Sequence, residues 1–96
     1  MAEVVLREDG QLSVEGSITI DNVVAVAARG VALFNSGDLI IDLARVAEVD
    51  STAVSMLLEW RREANRRNCQ LSFINIPQKL QSLVQLYDVA DLMRSS

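Results

Sequence analysis

The run Leu39-Ile40-Ile41-Asp42-Leu43 constrains the fold more than any other stretch. In an extended chain successive side chains point to opposite faces, so this segment is apolar on both, broken only by Asp42. Such a strand belongs inside a sheet that helices cover on at least one face. The flanking sequence supplies those helices. Val23 to about Phe34 is rich in Val and Ala and nearly free of charge, which predicts a largely buried helix. Asp21 or Asn22 can cap its start, and Asn35-Ser36-Gly37 ends it. On the other side, Ala44 to Asp50 is expected to form a loop. Ser51 or Thr52 then caps a long helix reaching about Arg67, where Asn68 can stop it in a left-handed conformation.

The remaining elements follow from turn chemistry and periodicity. Val4 to Leu6 and Leu12 to Val14 flank Glu8-Asp9-Gly10-Gln11, and the Asp-Gly pair marks a hairpin. Gly16 is expected to break the second of these strands, and Ser17 to Ile20 lead into the first helix. Leu71 to Ile76 reads as a further strand. Pro77 suits the first position of a third helix, with Leu80, Leu83, Val84 and Tyr87 as its apolar stripe. A last short turn carries Val89, Leu92 and Met93. The order β-β-α-β-α-β-α-α implies right-handed crossovers and parallel pairing beside an antiparallel hairpin. The expectation is one α/β domain over residues 1–96, with a mixed sheet of about four strands.

Composition narrows the function. The chain has 96 residues, half of them hydrophobic, with four aromatic rings, so its core must be aliphatic. A net charge of −4 gives no reason to expect nucleic-acid binding. The charge is uneven: residues 1–60 hold three basic and ten acidic side chains, residues 61–96 six and three. Arg61, Arg62, Arg66 and Arg67 supply most of the basic excess, at a predicted helix C-terminus where cations suit the dipole. One cysteine, Cys69, and no histidine exclude an internal disulfide and make a zinc site or other metal centre unexpected. No cofactor is expected. The apolar run from Val23 to Phe34 is interrupted by Arg29 and Gly30 and is too short to span a bilayer. Any membrane role would pass through a partner, from the cytoplasmic side.

Catalytic readings fail for lack of parts. Without histidine there is no Ser-His-Asp or Cys-His arrangement, and neither phosphate-loop nor dinucleotide-binding glycine pattern is present. Asp42 and Asp50 flank one loop, but nothing else supplies a substrate pocket. A binding role is therefore expected rather than an enzymatic one.

The informative segment runs from Ile40 through an acidic loop to Ser51 and Thr52. It places two hydroxyls at a helix N-terminus, where free N–H groups and the dipole favour a phosphate. The plainer reading is an ordinary helix cap. In the helix that follows, Val54, Leu57, Leu58 and Ala64 form one apolar face. Met56 and Trp60 lie outside it, in line with Thr52 and Ala53. Either they are partner-binding contacts, as exposed tryptophans often are, or a neighbouring helix covers them. On the first reading Ser51, Thr52, Met56 and Trp60 form the partner surface, and Thr52 and Ser51 are the phosphorylation candidates.

The block Asp42-Leu-x-x-Val46-x-x-Val49-Asp50-Ser51-Thr52, with the long helix and the Leu71–Ile76 strand, resembles STAS domains (sulfate transporter and anti-sigma-factor antagonist). The resemblance covers nearly the whole chain and implies the STAS fold, a mixed sheet with helices packed on one side. Ile41 to Val46, and Leu80 to Val89 with its Leu-Tyr-x-Val ending, look most like the MlaB-type subfamily. That likeness implies a cytoplasmic subunit bound to the ATPase subunit of a phospholipid-transporting (Mla-type) ABC transporter, in complex with a permease, peripheral to the inner membrane. The alternative it implies is an anti-sigma-factor antagonist, with an anti-sigma kinase as partner. Thr52 matches the serine phosphorylated in those antagonists. Ala53 and Val54 stand where both branches usually carry glycine, which argues against an accessible hydroxyl.

Overall fold

A computed structural model describes residues 2–34 and 37–86. Within them the chain forms β1 (Ala2–Leu6), β2 (Leu12–Ile18), α1 (Val23–Ala32), β3 (Leu39–Val49), α2 (Ser51–Arg66), β4 (Leu71–Ile74) and α3 (Gln78–Leu86). The last turn expected around Val89, Leu92 and Met93 lies outside the described residues, as does Tyr87.

The four strands make one mixed sheet in the order β1-β2-β3-β4. β1 and β2 pair antiparallel around the expected turn, where Gly10 has a φ of 86°. β2–β3 and β3–β4 are parallel, as helical crossovers require. The register places Val4, Leu12, Val14, Leu39, Ile41, Leu43, Leu71 and Phe73 on one face. Except for half-buried Val4 these are all buried, and they form the core with the inner sides of the helices. The opposite face carries Val5, Ser13, Ile40, Asp42 and Ile74 and remains partly open at Ile40. The helices therefore sit on one side. α1 packs on β1 and α2, and α3 on α2 and β3.

β3 corrects one expectation. Ala44 to Val49 is not a loop; it continues the strand and pairs with the second half of β2. Leu43, Val46 and Val49 all turn to the core, at a spacing of three rather than two. The register shows how. Ser13 pairs with Asp42 but Glu15 with Arg45, and Gly16 pairs with Val46 but Ile18 with Val49, so β3 holds one extra residue at each step. Two such bulges bring every third side chain back to the same face. Gly16 does not end β2 but lies within it, at φ 96° beside the second bulge, a conformation a side chain would strain.

The helix boundaries bring smaller corrections. Asn22 stands at the α1 cap position, but its side chain turns back to accept from the Thr19 N–H at 3.0 Å and donate to the Ser17 carbonyl at 2.8 Å. α1 is less buried than its composition suggested: only Val26 and Gly30 are fully covered. Asn68, at φ 57°, does end α2 in the left-handed region. Pro77 precedes α3 rather than entering it, and its carbonyl accepts from the Gln81 N–H at 2.9 Å.

Candidate functional site

Met56 and Trp60 are not surface residues. Their exposures are 2% and 0%. The buried side of α2 also takes in Ala53, Val54, Leu57 and Ala64, because both α1 and α3 pack against the helix. Trp60 lies against Gly30 of α1, donates from Nε1 to the Ala27 carbonyl at 3.0 Å, and meets the Phe34 ring edge-on at 6.2 Å. The expected partner contacts at Met56 and Trp60 are therefore core contacts. Ala27 and Gly30, three residues apart on α1, leave the space that the indole fills.

The hydroxyl doublet lies at the surface. Ser51 is exposed at the first helical position and Thr52 is half-buried. Neither caps α2. Asp50 is the cap: its Oδ1 accepts from the Thr52 N–H at 2.9 Å and from the Thr52 hydroxyl, and its Oδ2 accepts from the Ile20 N–H at 2.9 Å. One carboxylate thus ties the end of β3, the start of α2 and the entry to α1. The Thr52 hydroxyl, then the Ile20 and Thr52 N–H groups, hold its pKa below the ordinary aspartate value, against a smaller opposing effect of burial. Beside it, Val49 and the α3 residues Gln78, Lys79, Ser82, Leu83 and Leu86 line an open groove of about 490 Å³.

Asp42 forms a second polar centre, on the sheet's open face. Its Oδ1 accepts from the Ala44 N–H at 2.9 Å and from Asn75 Nδ2 at 3.1 Å. Its Oδ2 meets the Arg7 guanidinium at 3.0 Å. The Ala44 bond first, then Asn75 and Arg7, depress its pKa, while burial opposes them. The cluster joins the β1–β2 hairpin to β3 and to the chain leaving β4. Both Asp42 oxygens are engaged with the protein, and Arg7 also donates to Gln11 while its Nε has no hydrogen-bond partner, so the cluster acts as a clamp. A group whose pKa is lowered on folding stabilises the fold above its unfolded value and loses that contribution as pH falls through the folded value. Asp42→Asn should therefore cost about 1–3 kcal/mol near pH 7. That deficit should shrink as pH falls below the ordinary aspartate range, about 4, toward the lower value that the folded carboxylate has. Urea titrations of both proteins across pH 3–7 would show it; a constant gap would mean that the charge on Asp42 contributes nothing.

The basic end of α2 is satisfied internally. Arg62, Arg66 and Arg67 pair with Glu59 and Glu63. Arg61 donates to the Leu71 carbonyl at 2.9 Å and lies 5.7 Å from the Phe73 ring centre. No helix among the described residues is long and apolar enough to cross a membrane.

No curated protein sequence matches the chain. Among solved structures, the unphosphorylated anti-sigma factor antagonist SpoIIAA superposes with a TM-score of 0.73 at 14% identity, covering 100% of this chain and 88% of that one. At that identity the likeness speaks for the fold. A family model described as "Mlab, STAS domain" matches residues 1–94. With its mixed four-stranded sheet, one-sided helices and Asp50-Ser51-Thr52 helix start, the chain belongs to the STAS domain family.

Proposed function

We propose that this chain is a non-catalytic, single-domain STAS subunit that binds and supports the ATPase subunit of a phospholipid-transporting, Mla-type ABC transporter. The observation that carries the reading is the Mla-type family match over residues 1–94. The site geometry supports it: an exposed Ser51, a half-buried Thr52 and an adjoining apolar groove make a docking edge, held rigid by Asp50. On this reading the subunit sits in the cytoplasm and meets the inner membrane only through the ATPase and its permease. Ser51 and Thr52 are contact residues.

A pair of substitutions at Thr52 tests the docking edge. Thr52→Val removes the hydroxyl that donates to Asp50 but leaves the cap bond from the backbone N–H. It should cost about 1 kcal/mol in stability and little affinity. Thr52→Asp sets a second carboxylate beside Asp50 and into the interface, where like charges are costly. Its affinity for the ATPase subunit should fall about tenfold or more. Thermal melts and calorimetric titrations would separate the two. Equal affinity for wild type and Thr52→Asp would move the docking edge elsewhere.

A second reading rests on the exposure of Ser51 at a helix N-terminus: an anti-sigma-factor antagonist switched by phosphorylation at Ser51 or Thr52. A phosphate on Thr52 would replace the hydrogen it gives Asp50 with charge facing a carboxylate, so we favour the unmodified state. Intact mass of the protein from its native host should show no single-phosphate increment on this doublet. A substantial phosphorylated fraction would favour the antagonist.

A further inference from the structure

We propose that the end of the molecule where α1 and α2 begin binds a protein segment carrying aliphatic side chains flanked by lysine or arginine. The proposal rests on the docking role above and names the chemistry of the partner. Five large hydrophobic residues are exposed among the described residues, and three are at this end: Ile20 at 73%, Val24 at 80% and Leu86 at 74%. Ile20 and Val24 stand four residues apart at the entry to α1. The backbone of Ile20 is fixed by the Asp50 carboxylate, so its side chain is presented from a rigid support. Val49, which precedes Asp50, walls the groove with Leu83 and Leu86 of α3.

Charge selects the occupant. Exposed Asp21 follows Ile20 and exposed Glu48 precedes Val49 in the chain, and Asp50 bonds the Ile20 N–H, while among the described residues the groove wall carries one cation, Lys79. An anionic lipid surface would be repelled by these carboxylates. A second copy docking by this face about a two-fold axis would set the same carboxylates against one another. A basic segment with aliphatic anchors is complementary in both respects.

The test uses the purified ATPase subunit as first probe. Ile20→Ser with Val24→Ser alters only exposed side chains, so the melting temperature should hold. Affinity should fall about thirtyfold or more if both act as anchors. Asp21→Lys with Glu48→Lys should weaken binding several-fold at low salt, and the difference should fade near 0.5 M salt, as about 4 Å screening implies. Loss of binding in Thr52→Asp with none in the Ile20/Val24 pair would overturn this proposal and leave the docking role standing. If the wild type fails to bind the ATPase subunit, the transporter role falls and a second probe decides: NMR titration with a helical Leu/Lys peptide against its Leu/Glu counterpart. Shifts centred on Ile20 and Val24 for the basic peptide alone sustain the proposal. Shifts elsewhere, equal binding of the acidic peptide or no binding overturn it, as would dimerisation through this face or capture by phosphatidylglycerol vesicles.

Discussion

Trp60→Ala should lower the stability of this domain by about 3–5 kcal/mol, the range for emptying a large buried aromatic site. The ring is fully enclosed, so its loss leaves a cavity between α1 and α2. It also removes the donor to the Ala27 carbonyl and the edge-on contact with Phe34. A domain of this size has about 5–15 kcal/mol in total. The melting temperature should therefore drop by more than about 12 °C, and partial unfolding at 37 °C is expected. Any loss of partner binding should follow the loss of folded protein. A variant that melts like the wild type yet fails to bind would restore Trp60 as a contact residue. Far-UV melts with binding measured at 15 °C would distinguish the two.

Gly30→Ala should destabilise by about 1–3 kcal/mol, against the usual trend. In a helix interior, replacing glycine with alanine normally gains about 0.5–1 kcal/mol. Here an added Cβ would lie 2.6 Å from Cε2 and 2.9 Å from Nε1 of Trp60, and closer still to Cζ2. The indole cannot turn away: it is enclosed, and its N–H is held by Ala27. Overpacking of this kind forces backbone shifts and outweighs the helix gain. The two predictions are coupled. In a Trp60→Ala background the clash is gone, so Gly30→Ala should become neutral or stabilising. Additive losses in the double variant would show that Gly30 is constrained by something other than the indole.

The same pair shows what the sequence could and could not reveal. The mixed pairing of the sheet, the hairpin and all three described helices were legible, because apolar spacing and turn residues agree locally; the order of the strands was not read. The orientation of Trp60 was not. Periodicity gives the face of α2 that meets the sheet, but not how widely two flanking helices extend it; that depends on the notch at Ala27 and Gly30, thirty residues away. The second half of β3 was missed for a different reason. Leu43, Val46 and Val49 recur every three residues, which matches neither a regular strand nor a helix face, and only paired bulges against β2 reconcile it. The α2 cap lies one or two residues before the Ser51 or Thr52 that the sequence suggests. Ser51, Thr52 and Asp50 are all good caps, and the choice fell to Asp50 because its second oxygen also reaches Ile20. The Ser51-Thr52 doublet was readable as a surface feature; the exposed aliphatics Ile20 and Val24 beside it were not, since the low charge of α1 suggested burial.

The sheet order β1-β2-β3-β4 repeats the order of the strands along the chain. During synthesis each strand therefore meets a neighbour that has already left the ribosome, and none has to insert between two strands already paired. Nascent chains can add one crossover at a time at the growing edge, while β1 remains the other edge throughout. Such a growth order keeps loop closures short.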